Sequence, residues 1–130
     1  KVGQKIEYCH KGEQMIYLDG HIYNNILNNL ISNAIKFSPK NSPISVATVV
    51  EKQNIKIQVK DEGIGISVED QKSLMQRFHR GTNATHIQGT GLGLHIVSKY
   101  VERLNGKIYW KSKENAGTTF FISLLRINEE

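Results

Sequence analysis

One feature of this sequence constrains its fold more than any other. Two neighbouring segments have the two-residue period of β-strands, and a segment with helical spacing lies on each side of them. Residues 44–50 and 55–59 are predicted strands, and the second alternates apolar with polar residues. Residues 51–54 between them are few enough for a hairpin. Because hairpins separated by helices build one layered sheet, the pattern predicts the α+β class. We expect a two-layer α/β sandwich, in which one mixed, mostly antiparallel sheet is covered on one face by helices.

Local signals extend this prediction along the chain. Pro39 ends the first helix, because the residue before a proline avoids helical geometry. The other predicted elements are an opening hairpin of strands at 5–8 and 14–18, a helix from the N-cap Asp19 to about Ser38, a short helix from a capping box at Ser67 toward Phe78, a loop at 79–88, a helix from 92 to 104 ended by Asn105 and Gly106, and two strands at 107–112 and 118–125.

Composition excludes several classes of protein. The 130 residues are 38% hydrophobic, which predicts one domain over residues 1–130. The net charge is +5, but lysines and arginines are scattered, so we expect a solvated surface that tolerates polyanionic ligands and no nucleic-acid site. Cys9 is the only cysteine, which excludes an intrachain disulfide, and no apolar run approaches the ~18 residues of a membrane span. Since Lys1 is not preceded by methionine, we expect a piece of a longer protein.

A glycine-rich loop, Gly-Thr-Gly-Leu-Gly-Leu at residues 89–94, leads into the third predicted helix. Glycines at alternate positions leave backbone N–H groups open to an anion, and the helix N-terminus adds unpaired amides and a positive dipole end. The loop matches neither Gly-x-Gly-x-x-Gly nor the Walker sequence. It therefore predicts a phosphate site of another kind, with an ordinary glycine turn as the alternative.

The first predicted helix carries five asparagines between Asn24 and Phe37, although asparagine is a poor residue for a helix interior. Helical spacing places Asn29, Asn33, Lys36 and Phe37 on one arc beside the apolar stripe. Amide oxygens four residues apart can bind a hard cation such as Mg²⁺, with the lysine toward phosphate and the ring toward a base. The alternative is a polar helix face with one basic residue near its C-terminus.

Asp61 follows directly on a predicted strand and precedes Glu-Gly-Ile-Gly-Ile. Loops at strand ends commonly bind ligands. A fixed carboxylate there can accept a hydrogen bond from the 6-amino group of adenine, whereas guanine presents an acceptor at that position. Such a charge-assisted bond is worth about 1.5 to 3 kcal/mol, so the pattern predicts adenine selectivity. An ordinary Asp/Gly turn is the alternative.

Taken in order, the motifs resemble those of one family. The segments are Asn-Leu-Ile-Ser-Asn-Ala-Ile-Lys-Phe at 29–37, Asp-Glu-Gly-Ile-Gly-Ile at 61–66, Arg-Phe-His-Arg at 77–80, the glycine loop at 89–94 and Gly-Thr-Thr-Phe at 117–120. From about residue 19 to 124 the chain resembles the catalytic domain of sensor histidine kinases. The resemblance implies the Bergerat ATP-binding fold, which the gyrase, Hsp90 and MutL ATPases share, with ATP and Mg²⁺ as cofactors.

The resemblance also implies roles for single residues. Asn33 is expected to be the principal Mg²⁺ ligand, Asn29 a second metal or catalytic contact, and Lys36 a phosphate contact, and these three form the expected catalytic set. Phe37 stands where the family more often has tyrosine. The expected ATP-binding residues are Asn33, Lys36, Phe37, Asp61, Gly63, Ile64, Gly65, Ile66, Phe78, Arg80, Gly89, Thr90, Gly91, Leu92, Gly93, Leu94 and Thr118.

Within this set, the resemblance implies that Asp61 binds the adenine amino group with Thr118 beside it. Phe78 and Arg80 are expected to anchor a lid, and the glycines of the 89–94 loop to face the phosphates. Two positions depart from the family pattern, because His79 stands where tyrosine is frequent and Leu-Leu-Arg at 124–126 replaces a Leu-Pro ending. These departures bear on the lid and on strand termination.

Asn29 also bears on the reaction. The hydrolytic relatives have a glutamate general base at this position, and an amide cannot accept a proton at neutral pH. The resemblance therefore implies phosphoryl transfer to a histidine. No histidine of this chain precedes an acidic residue, as the family's acceptor usually does. We expect the acceptor on an adjoining dimerisation domain of a homodimeric protein.

The expected partners are that dimerisation domain and a response-regulator receiver domain, without nucleic acid and without direct membrane contact. The expected location is cytoplasmic, including the intracellular part of a membrane-anchored sensor. Two alternatives stay open: a serine kinase of the anti-sigma type on the same fold, and a nucleotide-sensing module without transfer activity.

Overall fold

A computed structural model of the chain describes residues 4–12, 20–72, 74 and 93–126. Its elements are β1 (Lys5–Lys11), α1 (Gly20–Phe37), β2 (Pro43–Val50), β3 (Asn54–Asp61), α2 (Val68–Gln71), α3 (Gly93–Arg103), β4 (Lys107–Ser112) and β5 (Thr118–Leu125). The five strands form one sheet in the order β1-β2-β3-β5-β4. β1 runs parallel to β2, and the other three pairs are antiparallel. The predicted mixed, mostly antiparallel sheet is confirmed.

The period of the strands gives the sheet two unlike faces. Alternate residues of β2, β3 and β5 are buried on one side, and this inner face meets the apolar stripes of the helices. The largest buried side chains include Ile26 and Leu30 of α1, Ile57 of β3, Val97 of α3 and Ile122 of β5. All five belong to one hydrophobic cluster, so the two-layer α+β architecture is confirmed.

Helix ends follow the predicted local signals. α1 ends at Phe37, two residues before Pro39. α3 is followed by Asn105 in the left-handed region with φ 56°, and the Gly106 N–H donates to the Val101 carbonyl over 2.9 Å. Ser67 caps α2, because its hydroxyl accepts from the Asp70 N–H over 3.1 Å.

Three expectations differ from the structure or concern residues that it does not describe. α2 ends at Gln71, so the helix that begins after Ser67 is shorter than the predicted one toward Phe78, and residues 75–92 lie outside the described part of the chain. β1 exists and, among the described residues, pairs with β2 in parallel register, which the sequence pattern did not predict. The predicted strand at 14–18 lies outside the described residues.

Within the described residues, neither long helix has the length and hydropathy to cross a bilayer.

Candidate functional site

Asp61 is the centre of the candidate site. It is the last residue of β3, it points to the inner face with the apolar residues of that strand, and it is 9% exposed. Its Oδ1 accepts hydrogen bonds from the N–H of Gly63 at 2.9 Å and of Thr118 at 3.3 Å. Among the described residues, both hydrogen bonds to this side chain end on Oδ1, so Oδ2 is the oxygen left for a ligand.

Burial raises the pKa of the Asp61 carboxyl above its ordinary value, because desolvation penalises the charged form. The two backbone hydrogen bonds lower this pKa and offset only part of the effect. No salt bridge to Asp61 is present among the described residues. A buried carboxylate that costs stability and points at the helix layer is typical of a binding residue.

The loop after Asp61 is held by the end of α1. The Ile64 N–H donates to the Phe37 carbonyl over 3.1 Å. A Cβ at Gly63 would overlap the same carbonyl, so only glycine permits this approach. Gly65 has a φ of +70° and lies against the backbone of Lys113 in the β4–β5 turn. The loop is therefore held between the end of α1 and the β4–β5 turn.

Ser112, the last residue of β4, joins the loop to Thr118 and was missed by the sequence analysis. Its Oγ accepts from the Ile66 N–H at 2.8 Å and donates to the Gly117 carbonyl at 3.1 Å. The Thr118 hydroxyl lies 2.7 Å away. The two hydroxyls share one hydrogen bond, in which either oxygen can donate. The available signal was a polar residue at an inward position of a strand.

Gln71 is a second residue that sequence reasoning missed. Its amide Nε2 donates to the carbonyls of Ile66 at 2.9 Å and Ser112 at 3.2 Å. Its Oε1 accepts from Trp110 Nε1 at 3.2 Å. Through these bonds α2 fixes the far end of the Asp61 loop to β4. Nothing in the local sequence distinguishes Gln71 from a solvent-facing helix residue.

The polar residues of α1 occupy one side of that helix. Asn29 and Asn33 are half-buried, and Lys36 is exposed. The Asn29 Nδ2 donates to the Asn25 carbonyl over 2.7 Å, which orients the amide along the helix. One helical turn separates the two asparagines, so their side chains lie one above the other. Two amide oxygens in that arrangement suit a hard cation that takes its remaining ligands from phosphate and water.

The structure brings part of the predicted set together. Direct contacts join Phe37, Asp61, Gly63, Ile64 and Thr118. Ile66 is linked to Thr118 through Ser112, and Gly65 lies against Lys113. Gly93 and Leu94 begin α3, and Leu94 packs against the core. Phe78, Arg80, Gly89, Thr90, Gly91 and Leu92 lie outside the described residues. In the part that is described, no cluster of histidine, cysteine and acidic residues could hold a metal ion.

Comparison with known proteins gives one family. The profile of the family described as "Histidine kinase-, DNA gyrase B-, and HSP90-like ATPase" matches residues 19–128. The sensor-like histidine kinase SenX3 of Mycobacterium tuberculosis is 43% identical over 90 residues, which are 68% of this chain and 22% of SenX3. The signal transduction histidine-protein kinase ArlS of Staphylococcus aureus is 38% identical over 109 residues, or 82% of this chain and 24% of ArlS.

Solved structures share the fold. The mycobacterial sensor histidine kinase MprB superposes with a TM-score of 0.81 at 24% identity over 93% of this chain and 84% of that one. The catalytic domain of histidine kinase ThkA superposes with a TM-score of 0.76 at 26% identity over 93% of this chain and 80% of that one. The chain spans 11% to 24% of the length of curated relatives such as ArlS.

The Ser112 bonds predict a specific loss of stability. Ser112→Ala leaves the Ile66 N–H without its acceptor, so we expect the free energy of unfolding to fall by about 1 to 3 kcal/mol. Urea denaturation measures this change. Ser123→Ala, on the outer face of β5, is the matched control and should shift it by no more than about 0.5 kcal/mol. Equal losses in both variants would show that the Ser112 bonds add nothing.

Proposed function

Because the chain belongs to the family of histidine kinase-, DNA gyrase B- and HSP90-like ATPases and has their Bergerat ATP-binding fold, we propose that it is the ATP-binding catalytic domain of a sensor histidine kinase. In this proposal it binds Mg-ATP and donates the γ-phosphoryl group to a histidine of an adjoining dimerisation domain. A response-regulator aspartate then receives the phosphoryl group. The observation that carries the proposal is the buried Asp61 carboxylate, held by two backbone amides at the end of β3.

Asp61 selects adenine in this proposal. Its Oδ2 accepts a hydrogen bond from the 6-amino group, while the Gly63 and Thr118 amides fix the position of Oδ1. Because the carboxylate is already ordered, binding costs little conformational entropy at this side chain. Guanine presents an oxygen there and meets an uncompensated negative charge. The absence of a side chain at Gly63 lets the loop pass close to Phe37, beneath the base.

The asparagine side of α1 serves the phosphates. At a rise of about 1.5 Å per residue, Asn33 lies roughly 6 Å and Asn29 roughly 12 Å along the helix from Phe37, which touches the base loop. Base contacts and metal contacts thus follow one another along a single rigid element. Mg²⁺, when bound, neutralises phosphate charge. Asn33 is the principal ligand in this proposal, Asn29 the second, and Lys36 contacts a phosphate oxygen.

Asn29 favours transfer over hydrolysis. An amide has no basic site at neutral pH, so this position cannot activate water. A site that binds the nucleotide without a general base leaves catalysis to positioning and charge neutralisation, which is how phosphoryl transfer proceeds. In line with the resemblance, Phe78 and Arg80 act in a lid, and Gly89, Gly91 and Gly93 face the phosphates.

The reaction itself tests the proposal. We expect this chain, mixed with the dimerisation domain of the same protein and γ-labelled ATP, to produce an acid-labile phosphohistidine on that domain. A dimerisation domain whose acceptor histidine is replaced by glutamine is the control. An acid-stable phosphoserine on a protein substrate would instead identify a serine kinase. Tight Mg-ATP binding without transfer in the full-length protein would identify a sensing module.

Asp61→Asn separates binding from stability. The variant keeps an oxygen for Gly63 and Thr118 but removes the buried charge, so we expect ATP affinity to fall roughly 10- to 150-fold, with relaxed discrimination against GTP. Calorimetric titration measures both nucleotides. Glu62→Gln, which changes the exposed neighbouring carboxylate, should leave both affinities unchanged. Unchanged affinities in Asp61→Asn would remove Asp61 from the base site.

The same variant should be at least as stable as the native chain at pH 7. The folded pKa of Asp61 lies above its ordinary 3.8, so the native chain loses stability as pH rises from about 4 through that raised pKa. Asparagine does not titrate. The stability difference in favour of the variant should therefore grow across this window and stay constant above it, as urea denaturation at several pH values will show.

Asn33→Ala tests the metal assignment. The variant loses one amide oxygen, so we expect ATP affinity to become independent of Mg²⁺, as measured by titration with and without the ion. Asn28→Ala, on the exposed side of the same helix, is the matched control and should keep the native Mg²⁺ dependence. Retained dependence in Asn33→Ala would place the metal elsewhere.

A further inference from the structure

The outer face of the sheet, opposite the helices, carries an ordered pattern of charge that the nucleotide site does not use. Lys56 and Lys107 both pair with Ser123 of β5, one from each side. Lys60 and Lys111 both pair with Thr119 in the same way. In the row between them, Phe121 is flanked by Gln58 and Tyr109. We call these four lysines with Phe121 and Tyr109 the lysine face.

The geometry of the sheet sets the size of the lysine face. Two strand spacings separate the lysines across β5, about 10 Å, and four residues separate those along β3 or β4, about 13 Å. All four lysines are exposed. One end of the face opens into a depression of about 270 Å³, which is lined by Lys60, Lys111 and Lys113 and also by Asp61, Ser112 and Thr118 of the candidate site. The result is a flat patch with positive charge at its corners and an aromatic centre.

The charge of this face is largely uncompensated. Among the described residues, one ion pair is present on it, Lys56 Nζ to Glu51 Oε1 at 3.2 Å. Lys111 Nζ lies 5.9 Å from the centre of the Phe121 ring, a cation–π contact that leaves its charge in place. Tyr109 is 55% exposed and lies on β4 beside Phe121, between Lys107 and Lys111. An exposed aromatic with a charged rim is the usual anatomy of a protein interface.

The aromatic geometry favours a protein partner over a nucleic acid. The Tyr109 and Phe121 rings stack on each other, with centroids 5.0 Å apart and planes 10° from parallel. Each ring thus presents one face to the other, and Lys111 lies over Phe121 as well. Base recognition on a sheet requires open ring faces for successive bases. A protein partner does not require open ring faces. Its carboxylates can contact the lysines at the corners, and an apolar side chain can pack against the exposed part of Tyr109.

We propose that the lysine face is a docking surface for an acidic protein segment, in which carboxylates meet the corner lysines and an apolar residue covers Tyr109. The net charge of +5 on the whole chain steers such a partner toward it. The Asp61 side chain is buried on the opposite side of the sheet, and the lysine face adjoins the candidate site only at the depression by the strand ends.

The test uses a synthetic peptide with glutamates on both sides of a central leucine, titrated into the ¹⁵N-labelled chain. We expect the amide signals of β4 and β5 to shift, those of α1 to stay, and the affinity to weaken as salt is raised. Lys60→Ala combined with Lys111→Ala should weaken binding roughly tenfold, and Tyr109→Ala by a similar factor. Lys40→Ala combined with Lys72→Ala removes the same charge elsewhere and should change affinity less than about twofold.

Three results would overturn the proposal. Equal weakening in both double variants would show attraction to net charge alone. Tighter binding of oligothymidylate than of the peptide, at the same amides, would make the face a nucleic-acid surface. No shift in β4 and β5 at low salt would show that the face does not bind acidic peptides. None of these results depends on nucleotide binding or transfer.

Discussion

The antiparallel pairing of β3 with β5 is the constraint on which the rest of the structure depends. This register places Asp61 opposite Thr118, so the carboxylate at one strand end reaches the backbone amide of the other strand. The same register places Ile57 of β3 opposite Ile122 of β5, and both side chains are buried in the core. A shift of one residue would turn both sets to the outer face. Core packing and site geometry are therefore specified by the same hydrogen-bond ladder.

Burial of the Asp61 carboxylate is unfavourable for folding, and a network of hydrogen bonds surrounds it. A buried carboxylate with a raised pKa is unfavourable for folding, and it persists because the Gly63 and Thr118 amides cannot turn away. Ser112 and Gln71 hydrogen-bond the far end of the same loop to β4. A buried charge that lowers the stability of the fold is typical of a residue that binds a ligand.

The two faces of the sheet differ in composition and in proposed role. The inner face carries the core and, at its end, the nucleotide site of the proposal. The outer face carries lysines around a stacked aromatic pair and is the docking surface of our second proposal. Because successive side chains of a strand point to opposite sides, a few residues of β3 and β5 supply both surfaces.

The sequence by itself determined what depends on local chemistry. Strand and helix periods predicted the α+β sandwich, and Pro39, Ser67 and Asn105 predicted helix boundaries, because these signals act within a few residues. The family resemblance predicted roles for Asp61 and for Asn29 and Asn33 of α1. Only the tertiary structure decided the parallel β1–β2 pair and the roles of Ser112 and Gln71. Those features join residues far apart in the chain, and no local pattern encodes which distant strand or carbonyl a polar group will meet.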